Sequence, residues 1–336
     1  MERKEASLYT KLKNNILQCE LCPRYCIIKE DEIGNCGVRK NINGKLYSLV
    51  YGKPVSANID PIEKKPLYHF LPGSKSFSIG TVGCNFHCLN CQNWEISQAK
   101  FDGVTSIDLP PKKVVEQSIK YKCKSISYTY TEPTVFYEYM LDTAKLAKKK
   151  NIKNIIVSNG FINEKPLLEL CKYIDAANID LKAFDDNFYK KICEARLEPV
   201  LNTLKILYKK NIWLEITNLL IPKLNDKDKQ IKELCLWIKE NLDENIPLHF
   251  SRFFPMHKAK DFQATSFESL ENAYVIAKSV GLKYVYLGNI ASNYENTYCP
   301  NCNALLIERS SFLINKINIK NNVCSKCNKK IVGIWK

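Results

Sequence analysis

The chain has 336 residues, a net charge of +15, fifteen cysteines and only four histidines. At about 150 residues per domain it has room for one large domain and small modules, and no apolar run approaches the roughly 18 residues of a membrane-spanning helix. So many thiols behind an N-terminus (Met1-Glu2-Arg3-Lys4-Glu5) without an apolar signal core argue for metal sites in a reducing cytoplasm over a secreted disulfide scaffold. The basic residues are scattered, as at Lys145, Lys148, Lys149 and Lys150. They are not interleaved with aromatics in one stripe, so they read as solvated surface ahead of a nucleic-acid face.

In chain order, the first group is Cys19, Cys22, Cys26 and Cys36, set among the turn residues Pro23, Gly34 and Gly37. Four thiols suffice either for a closed zinc site or for an auxiliary iron–sulfur cluster, and the irregular spacing leaves both open. Residues 1–73 are therefore expected to form a Cys-rich metal-binding module and lead-in. From 74 to 292, strand-like runs alternate with helical patterns, the signature of βα units around a parallel sheet. The predicted strands are Ser76–Val82, Ser125–Tyr130, Asn154–Val157, Ala176–Ile179, Trp213–Thr217, Leu248–Phe253 and Lys283–Tyr286. The clearest helix follows Thr265, with capping-box spacing to Glu268, apolar residues at helical period and Gly281 as its stop. Parallel strands joined by right-handed crossovers close into a full or partial barrel.

The last segment, 293–336, carries Cys299-Pro-Asn-Cys302 and Cys324-Ser-Lys-Cys327, a pair of CxxC knuckles of the zinc-ribbon type. Their separation of 21 residues lies just past the usual roughly 15 to 20. So small a module has little core and folds largely on its metal.

In a βα barrel the reactive centre sits at the C-terminal strand ends. The first strand leads into Cys84-Asn-Phe-His-Cys88-Leu-Asn-Cys91, the second into Thr131-Glu132-Pro133, the third into Ser158-Asn159-Gly160 and the fourth into Asp180-Leu181-Lys182. The fifth ends at Asn218 and the sixth in Arg252 through His257. Three local cysteines, against the four of an ordinary 4Fe–4S cluster, leave one metal position without a protein ligand, by the logic of an open catalytic zinc site. Glu132, next to a proline at a strand end, reads as a positioning residue more than as an acid–base group. Cys123, Cys171, Cys193 and Cys235, in or beside helical runs, read as packing. His69 and His249 read as locally hydrogen-bonded, and Arg196 and Arg252 as holders of an anion or as surface pairs.

The Cys84, Cys88, Cys91 triplet resembles that of the radical S-adenosylmethionine (radical SAM) superfamily, which implies a partial (β/α)6-type TIM barrel flanked by the two cysteine modules. Thr131-Glu132-Pro133 resembles the superfamily's motif for the methionyl amino group, with both glycines replaced. Asp180 and Lys182 resemble a pair in pyruvate formate-lyase activating enzymes, and His257 the histidine closing the same pocket. Asn159 falls among the implied cofactor-binding positions. Asn90 stands where the superfamily commonly has an aromatic residue. A wider resemblance is to the radical SAM member of the AmmeMemoRadiSam system. It is carried by Cys22-Pro23-Arg24, Asp60 through Ser74, Cys91-Gln92-Asn93, Tyr284 through Asn289 and the terminal cysteine pairs.

The resemblance implies a 4Fe–4S cluster on Cys84, Cys88 and Cys91 that splits S-adenosylmethionine into methionine and a 5′-deoxyadenosyl radical, which takes a hydrogen atom from a substrate. That substrate is a protein or a small molecule, in the manner of an activase. An external one-electron reductant is implied, as are Memo-like and AMMECR-like partner proteins by association. The alternatives are an RNA-modifying radical SAM enzyme, since charge and a ribbon could serve nucleic acid, and a non-catalytic zinc-ribbon binding protein.

Overall fold

The computed structural model describes residues 4–336; Met1, Glu2 and Arg3, part of the stretch read as lacking a signal core, lie outside the described residues. The central element is an eight-stranded sheet. Its strands, in spatial and chain order, are β1 (Ser56–Pro61), β2 (Lys75–Gly80), β3 (Ser125–Tyr128), β4 (Lys153–Ser158), β5 (Ala176–Asp180), β6 (Trp213–Leu220), β7 (Leu248–Arg252) and β8 (Val285–Gly288). From β2 to β8 every pairing is parallel, and β1 pairs antiparallel on the outer side of β2. Parallel neighbours need crossovers, supplied by α1 (Pro111–Lys120), α2 (Tyr137–Lys149), α3 (Glu164–Leu170), α4 (Asp186–Ile192), α5 (Leu197–Lys209), α6 (Asp228–Asn241) and α7 (Phe267–Val280).

The pairing register divides the sheet into two unlike faces. One carries Phe77, Ile79, Ile126, Ile156, Ala177, Ile179, Leu214, Ile216, Leu248, Phe250 and Leu287, all in the main hydrophobic core with the helices. The other brings Ser76, Ser78, Ser125, Ser127, Asn178, Glu215, Thr217 and His249 side by side, all buried. Buried polar groups need partners, and this face supplies some of them internally, as in the 2.6 Å Ser76–Ser127 hydroxyl pair and the 2.9 Å bond from Thr217 to Asn178, while the Ser78 and Ser125 hydroxyls have no partner among the described residues.

The predicted strand ends shift by up to three residues, and one helix cap moves. The last strand begins two residues later than Lys283 and runs to Gly288. The residue capping α7 is Ser266, whose Oγ accepts from the Ser269 N–H at 3.1 Å. Thr265 is wholly buried, and its hydroxyl is already engaged with the Leu220 carbonyl and the Phe253 N–H, so it is not free to cap. Gly281 ends the helix at φ +107°, as its position predicts.

The N-terminal segment forms two small antiparallel sheets, Tyr9–Lys11/Leu17–Cys19/Ile27–Ile28 and Lys4–Glu5/Lys45–Ser48/Arg39–Ile42. It is held to α2 by a bidentate Arg39–Glu138 pair, both bonds 2.9 Å and both side chains buried. At the other end, Thr297–Tyr298, Leu305–Ser310 and Leu313–Ile317 form a three-stranded sheet that packs with Tyr68, Tyr284 and Tyr286. Among the described residues, no helix is long and apolar enough to cross a membrane.

His69 and His249 meet in a buried network between this terminal module and the sheet. Glu215 accepts from the backbone of Tyr68 and His69, from the Trp213 indole and from His249 Nε2 at 2.7 Å. Burial, the largest single influence, would raise the Glu215 pKa, but His249, His69 and the Trp213 bond together outweigh it and hold the carboxylate below its usual value. The His69 ring spans the Val332 carbonyl and the Tyr286 hydroxyl, and burial pushes its pKa down to about 4 from 6.5.

Because the folded-state value of His69 is depressed, the neutral ring contributes stability above the unfolded value that is lost as pH falls from 6.5 toward 4. His69→Gln is expected to remove about 2 kcal/mol of the stability difference between pH 7 and pH 5, as read from urea midpoints at the two pH values. An unchanged pH slope would rule out this role.

Candidate functional site

The loop leaving β2 depends on a close approach that only glycine allows. Gly83 lies at φ +95°, and a Cβ there would stand 2.6 Å from the Cys36 carbonyl and 2.7 Å from Val38. Beyond it, Phe86 plugs the loop into the core against Phe161 and Tyr189. The backbone then hooks onto the end of α4, His87 N–H to Cys193 O at 3.1 Å and Leu89 N–H to Ile192 O at 2.9 Å. Asn93 reaches the Tyr130 carbonyl at 2.6 Å, joining the loop to the end of β3. Three thiols are thus fixed at the C-terminal end of the parallel strands by contacts from β2, β3 and α4.

Each sulfur has a donor or a charge beside it. The Phe86 N–H lies 3.3 Å from Cys84 Sγ, and Asn159 Nδ2 lies 3.9 Å from the same atom. Ser97 Oγ is 3.2 Å from Cys91 Sγ. The Cys193 thiol beside Cys88, with Lys182 nearby, holds Cys88 below the usual thiol value, whereas burial raises Cys84 and Cys91. Lys182 pairs with Asp180 at 2.8 Å. Burial opposes its charge, but Asp180 and then Cys88 outweigh burial and keep the ammonium. Donors and a cation around buried thiols are what a thiolate-ligated iron–sulfur centre requires, so the residues present fit such a group.

The second and third strand ends are joined through Glu132. Its carboxylate accepts from Thr134 N–H at 2.9 Å, Ser158 Oγ at 2.8 Å and Asn159 N–H at 2.8 Å. It is almost fully buried, and burial raises its pKa. Thr131 turns its hydroxyl to the Thr81 carbonyl at 2.9 Å, tying the end of β3 to the end of β2. Asn159, in turn, donates to Asn85 Oδ1 at 2.8 Å while facing Cys84. Sequence-predicted residues from four strand ends therefore meet around the loop.

His257 is placed differently from the Asp180–Lys182 pair. It stacks on Trp94, ring centres 5.1 Å apart, and with His87, Glu95 and Gln98 lines a cleft of about 970 Å³ beside the cysteine loop. Lys258 N–H binds the Leu89 carbonyl at 3.0 Å, which ties this segment to the same loop. Arg252 donates to the Thr265 carbonyl at 2.8 Å and Arg196 to the Pro23 carbonyl at 3.2 Å.

Cys193 is the residue that sequence reasoning missed. It looked like a packing thiol at a helix end, and no local motif links it to Cys88; only the docking of the cysteine loop on α4 brings them together. The four terminal cysteines come together in one group. Cys299, Cys302, Cys324 and Cys327 have all their sulfurs within 4.8 Å of one another, with pairs at 3.6 and 3.7 Å. The Lys329 backbone N–H, chiefly, holds the Cys327 thiol down to about 6, and the Lys326 N–H lies 3.4 Å from Cys324 Sγ. This group can hold a metal ion.

Removing the Glu132 carboxylate leaves buried donors without an acceptor at about 1–3 kcal/mol each. Glu132→Ala is expected to lower stability by at least about 3 kcal/mol and to speed hydrogen exchange at the Thr134 and Asn159 amides. Unchanged exchange at both would disprove the linkage.

Against proteins already known, residues 78–235 match the family model of the radical SAM superfamily. The chain is 49% identical over 331 residues to an uncharacterized protein of Methanocaldococcus jannaschii, covering 98% of both chains. It is 23% identical to the pyruvate formate-lyase-activating enzyme of Clostridium pasteurianum, over 50% of this chain and 72% of that one. Among solved structures, a radical SAM methyltransferase from Sphaerobacter thermophilus superposes with a TM-score of 0.52 at 14% identity, over 70% of this chain and 71% of that one, a likeness of fold. The strand-end cysteine loop lies within the matched region, and residues 78–235 carry a domain of the radical SAM superfamily.

Proposed function

We propose that Cys84, Cys88 and Cys91 hold a 4Fe–4S cluster with one open iron, and that the protein is an activase-like radical SAM enzyme acting on a protein or small-molecule substrate. The observation that carries this reading is the placement of three donor-surrounded thiols at the end of β2, facing the Asp180–Lys182 pair. The radical SAM domain at residues 78–235 disfavours the non-catalytic reading, and relatives named as activating enzymes support the activase-like one. When bound, the cluster and S-adenosylmethionine would supply the electron and the 5′-deoxyadenosyl group for hydrogen abstraction.

The chain's own residues bind, orient and exclude water. Lys182, kept cationic by Asp180, is suited to receive the methionyl carboxylate. Thr131 and Glu132 present the strand edge for the methionyl amino group, with Glu132 holding that edge in place through Ser158 and Asn159. Asn159, beside Cys84, donates into the same space. Trp94 and His257 wall the outer side of the loop. On the polar sheet face, a cleft of about 990 Å³ bounded by Lys64, Thr217, His249, Ser251, Gly288 and Phe312 is the route we assign to the substrate.

The sheet, open between β1 and β8, is taken to curl as a partial barrel, with the terminal cysteines forming a zinc ribbon. The AmmeMemoRadiSam assignment, with Memo-like and AMMECR-like partners, a cytoplasmic location and an external one-electron reductant, belongs to the same proposal. An RNA substrate is the second reading, supported by the net charge of +15, and salt-sensitive RNA binding would select it.

Anaerobic protein reconstituted with iron and sulfide, reduced and given S-adenosylmethionine is expected to yield 5′-deoxyadenosine by mass spectrometry, and a Cys84→Ala/Cys88→Ala/Cys91→Ala variant none. A loaded variant that still forms it would overturn the assignment. Lys182→Met is expected to raise the KM for S-adenosylmethionine roughly 10- to 100-fold, the equivalent of about 1.5–3 kcal/mol for a hydrogen bond to a charged group. An unchanged KM would remove Lys182 from the site.

A further inference from the structure

The three cysteine groups of this chain differ in how far their sulfurs draw together. A zinc ion at about 2.3 Å from each thiolate sets tetrahedral sulfur–sulfur edges of about 3.8 Å. The terminal quartet meets that figure with pairs at 3.6 and 3.7 Å. Among the described residues, neither the Cys84, Cys88, Cys91 triplet nor the Cys19, Cys22, Cys26, Cys36 quartet forms a group with all ligand atoms within 4.8 Å. The N-terminal sulfurs instead stand around a common pocket, which all four cysteines line. A single ion cannot bridge thiolates held that far apart, whereas a body of four irons and four sulfides occupies a volume of its own and takes its thiolates at wider spacing.

The walls of this space suit an anionic cluster. The four cysteines come from separate pieces of backbone: the end of Leu17–Cys19, the turn closed by Tyr25 N–H to Cys22 O, and the turn closed by Gly37 N–H to Gly34 O. Arg39 lines the space too, and only its two terminal nitrogens are used by Glu138. Its Nε is a buried donor with no partner in the protein. A buried unsatisfied donor at the wall of a thiol-lined cavity calls for an acceptor inside it. Thiolate or sulfide sulfur is such an acceptor.

We propose that Cys19, Cys22, Cys26 and Cys36 ligate a second 4Fe–4S cluster, with Arg39 Nε donating to it, and that the terminal quartet alone holds zinc. The second cluster shares a wall with the radical SAM loop. Asn85, next to Cys84, lines the N-terminal cavity, and Arg24, which also lines it, donates to the Asn85 carbonyl at 2.6 Å. The Cys36 carbonyl lies against Gly83. Four thiolates close the N-terminal cluster, so it has no iron open to S-adenosylmethionine.

The test is metal content and spectroscopy of the full chain after anaerobic reconstitution with iron and sulfide, beside the Cys84→Ala/Cys88→Ala/Cys91→Ala variant. The expected result is about eight irons per wild-type chain and about four irons and four sulfides per variant chain, with about one zinc in each. The reduced variant is expected to show an electron paramagnetic resonance signal that S-adenosylmethionine does not alter. Adding Cys22→Ala and Cys36→Ala should abolish that iron and sulfide and leave the zinc. About four irons and two zinc ions per wild-type chain would overturn the proposal, and this count needs no variant that might misfold. The outcome is separate from the proposed function, since a chain that forms no 5′-deoxyadenosine would still show the N-terminal cluster in the variant.

Discussion

Much of the site's geometry depends on one buried carboxylate. Glu132 has no cation beside it; three hydrogen-bond donors from its own turn and from the end of β4 compensate its burial. A buried acid without such donors would be driven to its neutral form or out of the core. Satisfying it therefore fixes the end of β4 relative to the end of β3, and with it the position of Asn159. Asn159 then meets Asn85 and Cys84. A requirement of desolvation physics, acting at a strand end, is transmitted within two residues to a sulfur of the cysteine loop.

The same chemistry of packing explains why one ligand type serves three different places. The terminal thiols lie on two tight turns whose N–H groups point at sulfur, and little else competes for the space, so they collapse to the spacing of one ion. The triplet is held open because each of its residues is anchored outward: Phe86 in the core, His87 and Leu89 on α4, and Cys91 beside Ser97. The N-terminal quartet lines its pocket together with Arg39, whose pair with Glu138 is costly to bury and would lose its bidentate geometry if it moved. Scaffold anchors, and not the number of cysteines, set the distance between sulfurs.

The parts of this arrangement legible in the sequence were those written in local spacing. Strand positions, the CxxxCxxC loop, the terminal CxxC pairs and the Gly281 stop follow from periodicity or from short motifs. The capping of α7 did not, because Thr265 and Ser266 are equally good caps on paper, and only the burial of Thr265 against Leu220 and Phe253 disqualifies it. Cys193 beside Cys88, and Arg39 with Glu138, join residues about a hundred positions apart. They carry no periodic signal; they follow from how loops dock on the finished sheet. The roles of His69 and His249 were half legible, as hydrogen-bonded residues, but their common link through Glu215 belongs to the packing of the terminal module.

That module bears on the site through geometry. Ile62, Leu67, Phe70 and Leu71 pack with Ile155 and Ala176 and with Trp213 and Ile334, which fills the polar face of the sheet near the strand starts. Further along the strands, Glu215 is saturated by Tyr68, His69, Trp213 and His249, and Arg309 seals the Tyr68 carbonyl at 2.7 Å. The polar face is therefore closed at one end by side chains. What stays open is the cleft where Thr217, His249 and Ser251 meet Ser311 and Phe312 of the terminal module. A molecule entering there touches the polar strand ends on one side and the terminal sheet on the other. The small module thus forms part of the wall of that cleft.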